Sequence, residues 1–291
     1  MNDFSQSAAD EIFEVKTEIP FEEKDLEEIH GENIKKSYNL IISKALIPKR
    51  EQAKTEIATW EELFKAQKIN ENSETRCIGL VIETRPDEIN EEEVIRIRKL
   101  GATKTQIGFQ SLNDKVLSLN KRGHTVETTR HSVNLLRKAG FKIHAHWMPN
   151  LYGSNPELDV EDFKKMFKDG DFMPDELKVY PCSLISSAEL MSYYKKGLWK
   201  PYEEDELLYV LKEAYKNAPA YCRITRMIRD IGSQDIVTGN KKTNLRQLVE
   251  KELTEAKSKI QEIRFREIRN QKVKKDDLEI KIVEYETSIS K

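Results

Sequence analysis

The chain has 291 residues, 38% of them apolar and 34% charged, with a formal net charge of −2. No apolar run approaches the roughly 20 residues that a bilayer-spanning helix needs, and the N-terminus lacks the basic-then-apolar order of a signal peptide. Cys77, Cys182 and Cys222 lie far apart, which argues against a disulfide framework or a local zinc knuckle and makes the cytoplasm the default setting.

In chain order, residues 1–75 read as an acidic helical segment: residues 1–33 hold eleven Asp/Glu against Lys16 and Lys24, and Trp60, Leu63 and Phe64 suggest an amphipathic turn set. From Arg76 onward β-rich runs alternate with helical patterns. CIGLVIE precedes a helix over 90–99, TKTQIGF one over 125–139, and FKIHAHW one over 159–168. ELKVY precedes helices near 187–196 and 203–217, and CRITR closes the series. Gly101, Gly140 and Gly170 follow helical segments as C-terminal caps do. Such alternation predicts parallel βαβ units over 76–238. Beyond Gly239 a helix over about 242–257 precedes LEIKIVEYETSIS, whose alternating Leu278, Ile280 and Ile282 predict a half-buried strand. Residues 239–291 thus read as a basic linker and the start of a further, truncated domain. Ala220 to Lys275 holds fifteen Lys/Arg against seven Asp/Glu, which suits either a polyanion such as RNA or a solvated face laced with ion pairs.

Strand side chains alternate between faces. Ile82, Thr105, Ile107, Phe109, Ile143, Ala145, Trp147, Leu177 and Val179 fall on one side. Glu83, Gln106, Gln110, Lys142, His144, His146, Lys178 and Tyr180 fall on the other. An open doubly wound sheet would be apolar on both faces; a barrel can turn a polar face inward. The fold class is therefore α/β, an incomplete TIM-like barrel, with the polar residues converging on a ligand because burying them unpaired costs roughly 1–3 kcal/mol each.

Several strings carry a resemblance: Cys77 to Asp87 (CIGLVIETRPD), Ile107 to Ser111, Asn120 to Val126 (NKRGHTV), His146 to Asn150, Leu177 to Pro181, Arg223 to Asp230 (RITRMIRD), Asn244 to Arg246 and Arg266-Glu267. In order and spacing they resemble the Elongator catalytic subunit family. Its members join a radical S-adenosylmethionine (SAM) barrel to an acetyltransferase domain and modify C5 of the tRNA wobble uridine. The resemblance implies a partial (βα) radical SAM barrel with an N-terminal helical segment and a C-terminal α+β extension. Its implied ligands are SAM, a 4Fe-4S cluster, acetyl-CoA and tRNA. It implies SAM contacts at Glu83, Gln110 and Arg122, and lumen contacts to substrate or acetyl-CoA at His146, Lys178 and Tyr180. Arg223, Arg226, Arg229, Lys241 and Lys242 are its tRNA candidates. Arg85 has a duller alternative, holding Asp87 or Glu83, and Asn150 stands where the family usually carries Asp.

The family's three clustered cysteines have no counterpart in this sequence, so no metal ligands are expected here. The resemblance thus implies the central part of a tRNA uridine-modifying enzyme, inactive alone, whose partners include tRNA and the missing N-terminal and acetyltransferase portions. A non-catalytic RNA-binding protein and a radical SAM enzyme of the coproporphyrinogen oxidase type are the alternatives.

Overall fold

The structure is a computed structural model and describes residues 58–228, 231–232, 234–274, 276 and 278–290. The chain divides into two compact units, Met1–Ala66 and Gln67–Lys291. Residues 58–66 of the first begin helix α1 (Trp60–Asn72), on which Trp60 and Phe64 stack at 6.1 Å and stay exposed. Residues 1–57, most of the expected acidic helical segment, lie outside the described residues, as do Arg229 and Asp230.

The second unit is built on five parallel strands: β1 (Val81–Thr84), β2 (Lys104–Gln110), β3 (Lys142–Trp147), β4 (Glu176–Val179) and β6 (Arg223–Arg226), paired in that order. Between them run α2 (Glu91–Lys99), α3 (Asp114–Leu119), α4 (Val126–Lys138), α5 (Pro156–Lys168), α6 (Leu190–Lys195) and α7 (Glu204–Asn217). α8 (Leu245–Glu255) follows, and a small antiparallel pair, β5 (Leu184–Ile185) with β7 (Ile236–Thr238), sits beside the β4 and β6 ends.

Helix starts follow local chemistry. Asn90, Asn113 and Asn155 accept backbone N–H groups at the starts of α2, α3 and α5, and Thr125 forms a capping box at α4. Pro156 opens α5 three residues before the expected start, since proline fits a first turn that needs no donor. Gly101 and Gly140 take φ of +90° and +76°, as expected of C-terminal caps; Gly170 does not, and α5 ends instead on Asp169.

The core lies between the apolar face of the sheet and the helices. Ile107, Phe109, Ile143, Trp147 and Leu177 meet Ile97, Leu136, Phe163, Met166 and Val210, all buried. Leu245, Val249, Leu253 and Ile260 share this core, so the segment read as a linker from 239 contributes its helix to the barrel's outer layer. The fold is thus the expected α/β partial barrel, with helices outside and the polar strand face inside.

Two expectations fail. The first strand starts at Val81 rather than Cys77, and Ile78 is 85% exposed. The terminal strand is absent: among residues 278–290 no ladder forms, and Ile280 is 98% exposed. Among the described residues the alternating pattern has no neighbouring strand to pair with. That segment is held at two points instead. Tyr285 stacks on Tyr221 at 3.8 Å and donates to Asp175 Oδ1 at 2.9 Å, and Ser288 N donates to Gly170 O.

Candidate active site

The polar face has two ends with different chemistry. Toward the strand N-termini, the Glu176 carboxylate receives Lys104 Nζ at 2.7 Å and Lys142 Nζ at 2.8 Å, and His144 Nδ1 lies 3.3 Å away. Burial works to raise the Glu176 value, but the two lysine hydrogen bonds outweigh it and hold the carboxyl below its usual range. Burial pushes His144 down, so it stays neutral near pH 7. Its Nε2 lies 2.9 Å from Thr225 Oγ1, whose own hydrogen goes to Leu177 O. Lys142 and His144, expected to converge on a ligand, are instead engaged with Glu176 and Thr225 at the floor of the barrel, where His144 Nδ1 keeps no hydrogen bond of its own.

Midway along the face, Gln106 Oε1 accepts from His146 Nε2 at 2.9 Å and from Lys178 Nζ. Lysine can only donate, so the shared atom is the amide oxygen and His146 must carry its proton on Nε2. Nδ1 of His146 then faces Glu83 Oε1 at 3.8 Å. The Tyr180 ring contacts His146 edge-on at 5.7 Å, and Lys178 Nζ lies 5.9 Å from its centre. The structure therefore gathers all three sequence-predicted lumen residues, with Glu83 beside them.

At the strand C-termini the partners run out. The Glu83 side chain is 63% exposed at the end of β1. Gln110, at the end of β2, is buried with φ +63°, and among the described residues its Oε1 has no hydrogen-bond partner. A non-glycine residue in the left-handed region costs of order 1 kcal/mol or more. Gly108 makes room for it, because a Cβ there would stand 2.5 Å from Gln110 Nε2. Arg122 reaches the same end through its backbone. Its carbonyl accepts from Arg85 Nη2 at 3.4 Å and lies 3.3 Å from His124 Nδ1, while His124 Nε2 faces Phe109 O. Arg85 also grips Asp87, the duller of its two readings.

A buried acceptor without a partner among the described residues and an exposed carboxylate make a site for a ligand rich in hydrogen-bond donors. SAM fits that set, with its ribose hydroxyls and ammonium. A 4Fe-4S cluster does not. Cys182 and Cys222 are buried apart, burial pushes the Cys222 thiol up, and Cys77 is exposed ahead of β1. Among the described residues no three ligating side chains are grouped for a metal.

The tRNA candidates differ in how they are engaged. Arg223 pairs with Glu267 and Lys242 with Glu204 at 2.5 Å, while Arg226 and Lys241 are exposed. A register irregularity separates Arg223, level with Glu176, from Arg226, level with Lys178. A cavity of about 360 Å³ lined by Lys212, Lys216, Glu252 and Ser258 lies on the outer helices, away from the site.

The supports of the mouth escaped sequence reasoning. Asp162 accepts from Leu112 N at 2.7 Å and Trp147 Nε1 at 2.9 Å. Asp159 accepts from Asn150 N at 2.6 Å and Tyr202 OH at 2.7 Å. Burial pushes both carboxyls up to about 6. The turn at Asn150 (φ +67°) is thus fastened by α5, whatever residue stands there. The available signal was two carboxylates, three apart, flanking the apolar stripe of Val160, Phe163 and Met166.

Comparison with known proteins agrees with this fold. Residues 55–168 match the radical SAM superfamily and residues 174–255 the radical SAM C-terminal domain. A tRNA uridine(34) acetyltransferase of Methanocaldococcus infernus is 42% identical over 234 residues, 78% of this chain and 44% of the relative. Elongator complex protein 3 of Schizosaccharomyces pombe is 34% identical over 216 residues, 74% of this chain and 40% of the relative. The structure of an N-terminally deleted Methanocaldococcus infernus Elp3 superposes with a TM-score of 0.68 at 43% identity, covering 70% of this chain and 48% of that one. The chain spans less than half the length of these relatives.

Proposed function

From the premise that the chain belongs, over residues 55–255, to the radical SAM superfamily and its Elongator complex protein 3 family, we propose that it forms the central barrel of a tRNA uridine(34) C5-modifying acetyltransferase. The observation that carries this reading is the C-terminal end of the strands, where the buried Gln110 oxygen has no partner among the described residues and Glu83 is exposed.

Each residue has a task that its chemistry allows. Glu83 accepts the two ribose hydroxyls of SAM, Gln110 Oε1 accepts from its ammonium, and Arg122 holds its carboxylate through paired N–H groups. His146, fixed by Gln106, presents Nδ1 to the lumen, and Lys178 and Tyr180 meet the uridine or the acetyl-CoA. Arg226 and Lys241 meet tRNA phosphate, with Arg223, Lys242 and Arg229 as further candidates. SAM supplies radical chemistry when an iron–sulfur cluster reduces it, and this chain's own cysteines do not form such a site. We therefore expect the chain to bind without turning over: iron reconstitution yields no 5′-deoxyadenosine. The three free thiols suit the cytoplasmic setting we propose.

Equilibrium dialysis with labelled SAM tests the reading. The wild-type chain should retain it, and Glu83→Gln and Arg122→Met should each lose about tenfold, one charge-assisted contact apiece. Equal retention by wild type and variants sinks it.

A further inference from the structure

The segment that follows β4 carries an alternation of aromatic and basic residues that the mouth does not use. It reads Tyr193-Tyr194-Lys195-Lys196-Gly197-Leu198-Trp199-Lys200. Its underside is pinned to the barrel. Trp199 is buried, donates Nε1 to Asn150 O at 3.0 Å, and joins Val116, Leu151, Cys182 and Leu184 in a second apolar cluster. The Tyr193 ring lies 4.7 Å from Tyr152, and Lys121 pairs with Glu189, tying this segment to the one that carries Arg122. Gly197 (φ +69°) turns the chain so that Leu198 N returns to Tyr193 O at 2.9 Å.

The outer side is presented to solvent. Tyr194 is 38% exposed and Leu198 56%, and Lys195, Lys196 and Lys200 are all exposed. Among the described residues none of these three lysines has a carboxylate within 4.0 Å. The nearby acids are spoken for: Glu189 by Lys121, and Glu203 by the start of α7. A fixed aromatic face ringed by uncompensated lysines is the combination that stacks unpaired bases and neutralises their phosphates. A protein partner of matching charge is the competing occupant. The position decides between them, because this rim stands beside the lumen that a uridine would have to enter unstacked.

We propose that the loop from Tyr193 to Lys200 is a stacking platform for unpaired RNA nucleotides flanking the one that enters the barrel. Tyr194 takes a base, and Lys195, Lys196 and Lys200 take phosphates. The proposal rests on the tRNA-modifying reading above and adds the surface that selects a loop over a duplex.

Fluorescence anisotropy on the full chain tests it, with an RNA stem–loop and a blunt duplex of equal length. Tyr194→Ala should weaken stem–loop binding about tenfold and leave the duplex unchanged, while Tyr194→Phe keeps wild-type affinity. Replacing the three lysines by alanine should reduce the slope of log K against log salt by about 2. Stem–loop affinity untouched by Tyr194→Ala marks the patch as a protein-docking face and overturns the proposal. So does equal loss on both RNAs. In either case wild-type binding of tRNA with SAM retention leaves the underlying reading standing. Failure of the wild-type chain to bind tRNA better than an unrelated protein of equal charge removes both.

Discussion

The floor and the mouth of this barrel are made from the same face of the same strands, yet they solve opposite problems. At the floor, Glu176 takes both Lys104 and Lys142, and His144 is tied to Thr225 through Nε2, with only its Nδ1 left without a hydrogen bond. At the mouth, Gln110 keeps a strained backbone and an unused acceptor, and Glu83 stands open to solvent. Paired polar groups hold a fold, while polar groups left wanting recognise a ligand. The pattern of residue types alone does not separate the two.

The largest expected effect tests the floor. Glu176→Ala leaves two lysines and a histidine around an empty centre and should cost about 3–5 kcal/mol in urea unfolding, the usual penalty for breaking a buried ion network. A loss below 1 kcal/mol would show that the floor is not structural and erase the contrast. The depressed carboxyl also sets a sign. Its contribution is full above the ordinary glutamate range and is lost as the pH falls below it.

The next effect concerns the supports of the mouth. Asp162→Asn should cost about 1–3 kcal/mol, since one of its two donors then faces an amide N–H. Asp159 and Asp162 have the opposite pH sense to Glu176. A carboxyl pushed up to about 6 holds its proton longer in the folded state. Its contribution is greatest below about pH 4 and declines as the pH rises to about 6. The difference in urea midpoint between wild type and Asp162→Asn, followed across that window, should change in this direction; a flat difference would contradict it.

The mouth itself should behave as a site under strain. Gln110→Gly relieves the positive φ and should raise stability by about 1 kcal/mol, a thermal shift of about 2–4 °C, while SAM retention falls. Destabilisation would mean that Gln110 belongs with the floor. Smallest of all, Glu83→Ala should leave stability within about 0.5 kcal/mol, as for any exposed side chain, and still weaken SAM retention at least about tenfold. Calorimetry and dialysis on the same preparation sharpen the contrast most directly.

Much of this was legible in the sequence, and for identifiable reasons. The alternation of β2, β3 and β4 separated Ile107, Ala145 and Leu177 from Gln106, His146 and Lys178 before any coordinates, because strand geometry leaves a side chain only two directions. The helices α2, α4 and α7 kept the boundaries that their caps set. The final strand was misread for a related reason. Leu278, Ile280 and Ile282 alternate, but a strand exists only with a neighbour, and among the described residues none pairs with them.

What the sequence determined by itself is the layered α/β fold, which face of each strand is polar, and the family to which those strings belong. Only the tertiary structure decided which polar residues are spent on each other and which are held in reserve. Lys178 and Gln106 are 72 positions apart, and Lys104 and Glu176 likewise. Whether an amide or a carboxylate is satisfied depends on neighbours brought across strands at hydrogen-bond range, and a linear pattern does not encode that distance.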